Sequence, residues 1–264
     1  MNETPEQRED RERRERCARL GEVVLRDFNE DQPRDAKGEW TSGGGGETPA
    51  EKPLEQQQQE FSQAKEASLA AMRENIHPEK GSPAGVVNKA MEVMAARGMN
   101  PDMVRAAGYV NVYGMEKGRL SIKQGEGFNL TGQYFQGEHK IETRGSVDTF
   151  IHEYGHHITL STSFGHTPEG FNRDSWRGAR DAALNEWAAR IPGGDKARGN
   201  PGWNKMPASD ARKVPSAYAT FNFKEWQAES FRMYMQGGKQ EERLQRVAPD
   251  THKFIDGLVR NTFR

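Results

Sequence analysis

Ser146-Val-Asp-Thr-Phe-Ile-His152-Glu153-Tyr154-Gly155-His156-His157-Ile158 is the stretch whose reading decides the rest, because it sets two histidines four residues apart with a glutamate beside the first. Four residues are about one helical turn, so on a helix the imidazoles of His152 and His156 leave the same face and can hold one tetrahedral zinc ion. Glu153 then lies beside the metal. A carboxylate there can take a proton from a metal-bound water, whose pKa zinc lowers from about 16 to about 7. A nucleophile and its base are thus brought together within one turn.

The surrounding residues predict a helix with two distinct faces. Val147, Phe150, Ile151, Tyr154 and Ile158 follow the spacing of a buried stripe, and His152 and His156 fall on the side opposite it, lining a cleft or meeting solvent. Ser146 suits the N-cap and Asp148 the positive end of the helix dipole, while Gly165 and Pro168 bracket a following loop over 162–177. The competing reading is a surface helix that carries His, Glu and His by coincidence; the helical context argues against it. His157 lies on the flank, where packing or capping suits it better than metal binding. His166, in the loop, is a rim residue or has no functional role.

Composition narrows the classes. Of the 264 residues 33% are hydrophobic, and glycine, proline and charged residues are abundant, so part of the chain is expected not to join a folded core. The net charge of −1 gives no global field to attract nucleic acid or an anionic membrane. No apolar run approaches the roughly 20 residues of a membrane span, and the first thirty residues are too charged for a signal peptide. The expectation is a chain without membrane segment or nucleic-acid partner, made in the cytoplasm. Cys17 is the only cysteine, which excludes an intrachain disulfide and leaves any metal to His and carboxylates.

Along the chain, residues 6–19 alternate Arg with Glu and Asp, and Leu20, Val23, Val24 and Phe28 then recur at helical spacing. This is either a solvated helix or a docking segment for a partner. From Gln32 through the Gly43–Gly46 run to Gln56–Gln59 the composition is that of a linker, with Trp40 as an isolated aromatic. Helices are expected from Phe61 through Ala64, Leu69, Met72 and Ile76, then through Val86, Val87, Met91 and Met94 to Gly98, with a short third after Pro101. Core packing accounts for those methionines. Residues 109–113, 120–123 and 133–142 read as strands of a small antiparallel sheet just before the histidine helix. A further helix is expected over 179–191, followed by a long loop from Pro192 to Pro215.

Two histidines leave a zinc site incomplete. A third histidine six residues after His156 is ruled out, since Thr159 and Thr162 stand where that pattern requires Gly and His. The other common solution is a Glu from a later helix. Asn222-Phe-Lys-Glu225-Trp-Gln-Ala-Glu229-Ser-Phe offers two, with Phe223, Trp226, Phe231 and Tyr234 forming a buried stripe and Glu225 and Glu229 one turn apart on the other face. Glu225 can alternatively be only the N3 member of a capping box with Asn222. Glu229 is placed to hold a ligand imidazole by its second nitrogen.

The segment Tyr218-x-x-x-Asn222-x-x-Glu225-x-x-Ala-Glu229-x-Phe resembles that of the zinc peptidases similar to anthrax lethal factor, within the gluzincin group, and the tail Ala248-Pro249-Asp-Thr251-His-Lys-Phe254-Ile255 is similar to that family's closing helix. The resemblance implies that Glu225 is the third zinc ligand and that the Tyr218 hydroxyl stabilises the oxyanion; packing at the start of the helix is the alternative for Tyr218. It implies too that a sheet edge beside the histidine helix accepts the substrate as an added strand. The chain departs from the family at Trp226-Gln227 and in the long interval between His156 and Glu225. The Pro33-Arg-Asp-x-x-Gly38-x-Trp40 run resembles linkers of tailed-phage head morphogenesis proteins. The expectation is therefore an α+β fold in which a charged segment and disordered or partly helical linker, 1–60, precede a zincin-like domain, 61–264. Its expected function is zinc-dependent peptide hydrolysis of a protein or peptide substrate, encoded by a phage or prophage. It would act in the host cytoplasm or on a virion, with a particle or morphogenesis partner held through the N-terminal segment. The alternative is a catalytically silent phage structural or interaction protein keeping the same fold.

Overall fold

The computed structural model of the protein describes residues 53–115, 131–191, 212–216 and 218–263. The chain divides into two units between Phe61 and Ser62. The charged segment, the linker up to residue 52 with Trp40, the strand expected over 120–123 and most of the 192–215 loop lie outside the described residues.

Helix α1, Leu54–Asn75, begins ahead of Phe61. Gln56–Gln59 has a linker's lack of apolar surface, yet Gln and Glu are good helix formers, and the Gln56 amide donates to Glu60 one turn on at 3.1 Å. The helix stops before Ile76, which opens strand β1, Ile76–Pro78. Helix α2, Ala84–Ala96, and the short α3, Pro101–Ala107, follow as expected; Asn100 caps α3 by accepting from the N–H groups of Asp102 and Met103. Met72, Met91, Met94, Met99 and Met103 are all buried in the core.

Strands β2, Val110–Gly114, β3, Gly132–Phe135, and β4, Lys140–Thr143, complete a four-stranded sheet in the order β1-β2-β4-β3. The sheet is mixed, which corrects the antiparallel expectation. β1 runs parallel to β2 and β2 to β4, while β3 alone is antiparallel, paired with β4 from Gly132↔Thr143 to Phe135↔Lys140. The reason is topological: α2 and α3 lie between β1 and β2 and return the chain in the same direction, and only the tight link from β3 to β4 makes a hairpin. That link is a single 3-10 turn, Gln136–Glu138, closed by His139 in the left-handed region at φ 46°.

Helix α4, Val147–Ser163, carries the two histidines and packs against α2, α3, β3 and β4. Ser146 caps it, its hydroxyl accepting from the Thr149 N–H at 3.4 Å, and Phe150, Ile151, Tyr154 and Ile158 are completely buried. Helix α5, Arg173–Arg190, starts earlier than expected because the Asn172 side chain accepts from the N–H groups of Asp174 and Ser175. With α4 running on to Ser163, the loop expected over 162–177 is correspondingly shorter.

After a 3-10 turn at Tyr218–Thr220 come α6, Phe223–Gln236, α7, Gly238–Val247, and α8, Pro249–Arg260. Trp226, Phe231 and Tyr234 bury one side of α6, with Phe223 partly covered. A buried chain of hydrogen bonds sets its orientation. The Trp226 indole donates to Thr251 Oγ1 at 2.8 Å, and the Thr251 hydroxyl and N–H both donate to Glu186 Oε2, at 2.8 and 2.9 Å. Glu186 of α5 thereby also satisfies the open N-terminus of α8. Among the described residues no helix is long and apolar enough to cross a membrane.

Candidate metal centre

The site exists because α4 and α6 approach closely. They meet at Gly155, where a Cβ would stand 3.1 Å from Phe231 Cβ and Cδ1 and 3.2 Å from Ala228 Cα, inside ordinary van der Waals contact. A glycine within a helix costs about 1 kcal/mol against alanine. Here it lets the face of α6 that carries Glu225 reach the turn of α4 that carries the histidines.

Glu225 Oε2 lies 3.1 Å from His152 Nε2 and 3.2 Å from His156 Nε2, and the three atoms fall within 4.8 Å of one another. The histidines are not on an open face: His152 and His156 are only 6% and 8% exposed. Burial works against the charged form of each group, but the mutual attraction prevails. Glu225 is drawn down to about 2 by His156 and His152, and His152 is pushed up to about 10 by Glu225 and Glu229 with Glu153 nearby. A metal ion would take the place of the imidazole protons that Glu225 attracts here, so its binding would release them.

Two imidazole nitrogens and a carboxylate oxygen are the donor set of a zinc site that keeps a position open. The fit extends outward. Glu229 Oε1 lies 2.8 Å from His152 Nδ1, which commits that nitrogen and leaves Nε2 for an ion. Glu225 also plays the capping role weighed against ligation, but through its backbone: its N–H donates to Asn222 Oδ1 at 3.0 Å while its carboxylate turns to the histidines. The group could hold a metal ion.

Glu153, 7% exposed, stands beside this centre against β3. Burial holds its carboxyl above the ordinary carboxylate value, against the pull of the His152 and His156 imidazoles, and the backbone N–H of Tyr134 donates to it. Gly132 is required here by space, since a Cβ would come within 2.4 Å of Thr149 Cγ2 and 2.8 Å of Glu153 Oε1. The Arg144 N–H bonds to Thr131 O at 2.9 Å, so residues 131, 133 and 135 turn their backbone groups to β4 while Gly132 and Tyr134 turn theirs outward. Among the described residues β3 is an edge of the sheet, and it runs beside Glu153.

His157, a packing residue as expected, anchors that strand. Its Nε2 meets Gly108 O at 3.1 Å, and a carbonyl can only accept, so Nε2 carries the proton and Nδ1 accepts from the Tyr134 hydroxyl at 3.1 Å. Burial depresses His157 to about 4, keeping it neutral. Tyr218 packs its ring 5.6 Å from that of His152, at the rim of the centre. His166 is exposed and is no part of the trio.

The structure thus gathers His152, His156 and Glu225 at one point, with Glu153, Glu229 and Tyr218 around them. Sequence reasoning missed Gly132, Tyr134, Gly155 and Arg232. Of these, Arg232 had a signal, because Glu225, Glu229, Arg232 and Gln236 form a single polar line along α6 at helical spacing. The sequence matches no family model and no curated protein, so the residues themselves carry the functional argument.

Proposed function

We propose that this chain is a zinc-dependent endopeptidase with a two-histidine, one-glutamate ligand set, as its resemblance to the gluzincins implies. The supporting observation is the convergence of His152 Nε2, His156 Nε2 and Glu225 Oε2 on one point, with Glu153 buried alongside and β3, an edge strand among the described residues, next to it. When bound, zinc supplies Lewis acidity, polarising a peptide carbonyl and acidifying water. Glu153 accepts the proton of the attacking water and delivers it to the leaving amine, a task helped by burial that raises its carboxyl above the ordinary carboxylate value. The Tyr134 N–H and the Cβ-free surface of Gly132 hold that carboxylate in one orientation. The outward groups of β3 that Glu153 does not engage, those of Gly132 and the Tyr134 carbonyl, pair with the main chain of an extended peptide, so the substrate binds as an added strand. The Tyr218 hydroxyl meets the oxyanion of the tetrahedral state. The linker resemblance supports an enzyme encoded by a phage or prophage, acting in the host cell or on a particle reached through its N-terminal segment.

The test is zinc analysis of the purified full chain together with cleavage of a broad peptide library. The wild type should hold one zinc and cut a subset of peptides, and Glu153→Ala should hold zinc and cut none. Zinc-loaded wild type that leaves the whole library intact would sink the catalytic reading and favour a silent structural or interaction protein.

A further inference from the structure

The polar line along α6 does not end at the residues that surround the ion. Arg232 donates from Nε to Glu229 Oε1 at 3.2 Å and from Nη2 to Glu229 Oε2 at 2.9 Å, engaging both carboxylate oxygens, and its Nη1 donates to Gln236 Oε1 at 3.0 Å. Glu229 Oε1 is the same atom that meets His152 Nδ1 at 2.8 Å. We propose that Arg232 is a positioning residue of the metal centre, one that fixes the plane and charge of Glu229 so that His152 keeps Nε2 aimed at the ion. The proposal rests on the metal-site reading above.

The physical case has two parts. A carboxylate held only by an imidazole can rotate about its last bond and offer either oxygen, whereas the planar two-pronged guanidinium allows one orientation. Fixing Glu229 fixes the direction from which Nδ1 is engaged, hence the ring plane and tautomer of His152. The second part is charge. The carboxylates of Glu225 and Glu153 already match the two charges of a zinc ion, so Glu229, 9% exposed, is a third carboxylate in excess, and Arg232 balances it from a side chain only 20% exposed.

Other i,i+3 ion pairs of this protein show what an incidental pair looks like. Arg105–Asp102 and Arg177–Asp174 each make one contact, at 3.1 and 3.2 Å, between side chains that are about half exposed or more. Pairs of that kind contribute little. Arg232–Glu229 differs in being largely shielded from solvent, two-pronged and braced by a third residue.

The experiment measures zinc dissociation constants by chelator competition on the full chain for wild type, Arg232→Gln, Arg232→Lys, Glu229→Gln and the Glu229→Gln/Arg232→Gln double variant. Thermal unfolding of the metal-free proteins and the visible absorption of the cobalt-loaded forms accompany it. Arg232→Gln should weaken zinc about 10-fold, near the low end of what removing an outer partner of a ligand costs, and should alter the cobalt spectrum. Arg232→Lys, which keeps the charge and loses the fork, should fall between Arg232→Gln and wild type. The double variant should bind zinc no more weakly than Glu229→Gln alone, because Arg232 acts only through that carboxylate. Wild-type affinity and spectrum in Arg232→Gln, or losses that simply add in the double variant, would overturn the proposal while leaving the metal site standing. A wild-type chain that binds no zinc would overturn both.

Discussion

Replacing Gly155 by alanine tests whether the spacing of α4 and α6 builds the centre. The new methyl would meet Phe231 Cβ and Cδ1 at 3.1 Å and Ala228 Cα at 3.2 Å. Carbon atoms in contact prefer about 3.5 to 4.0 Å, so the shortfall is roughly half an ångström. Phe231 and Ala228 are fully buried, and one of the opposing atoms is backbone, so neither can swing away; α6 itself must move outward by a few tenths of an ångström. Glu225 moves with it, and metal–ligand distances tolerate only about 0.2 Å. The stability terms oppose each other, since alanine gains about 1 kcal/mol in helix propensity while overpacking a core costs about 1 to 3 kcal/mol. The metal-free variant should therefore lose at most about 2 kcal/mol, or roughly 4 to 8 °C in Tm for a domain of this size. Zinc affinity, read by chelator competition, should nevertheless fall at least about 10-fold. A Gly155→Ala protein with raised Tm and wild-type zinc affinity would refute the argument, showing that the helices accept the methyl without displacing Glu225.

Three further outcomes follow from the site. His152→Ala, His156→Ala and Glu225→Ala should each lower zinc affinity by orders of magnitude while His166→Ala leaves it unchanged; near-normal retention in Glu225→Ala would move the third ligand elsewhere. Tyr218→Phe should lower kcat by about 10- to 1,000-fold with KM and zinc content little changed, and an unaltered kcat would reduce Tyr218 to a packing residue. The third concerns acid. His157 is depressed from 6.5 to about 4 by burial, so on acidification the unfolded chain binds its proton first, and the stability this neutral imidazole contributes is full above pH 6.5 and lost as pH falls toward 4. Denaturant unfolding of the metal-free protein should show a slope of up to about 1.4 kcal/mol per pH unit in that window, flattened in His157→Gln, and an identical slope in the variant would refute the assignment.

The local pattern of the sequence determined much of this site. The spacing of His152, His156 and their apolar neighbours specified a helix with the ligands on one side, and the alternation of Phe223, Trp226, Phe231 and Tyr234 with Glu225 and Glu229 did the same for α6. Caps at Ser146 and Asn222 were legible because a side-chain oxygen beside a helix start satisfies N–H groups that the helix leaves open. What local pattern cannot encode is which element lies against which. Period-two alternation marked strands without saying that β2 and β4 run parallel, because partner direction depends on the path of the connecting chain. The same limit hid the close approach at Gly155, the place of Gly132 and Tyr134 beside Glu153, and the fork of Arg232 on Glu229. Each arises only when helices and sheet edge are packed, where a missing Cβ or a single shared oxygen decides which groups can meet.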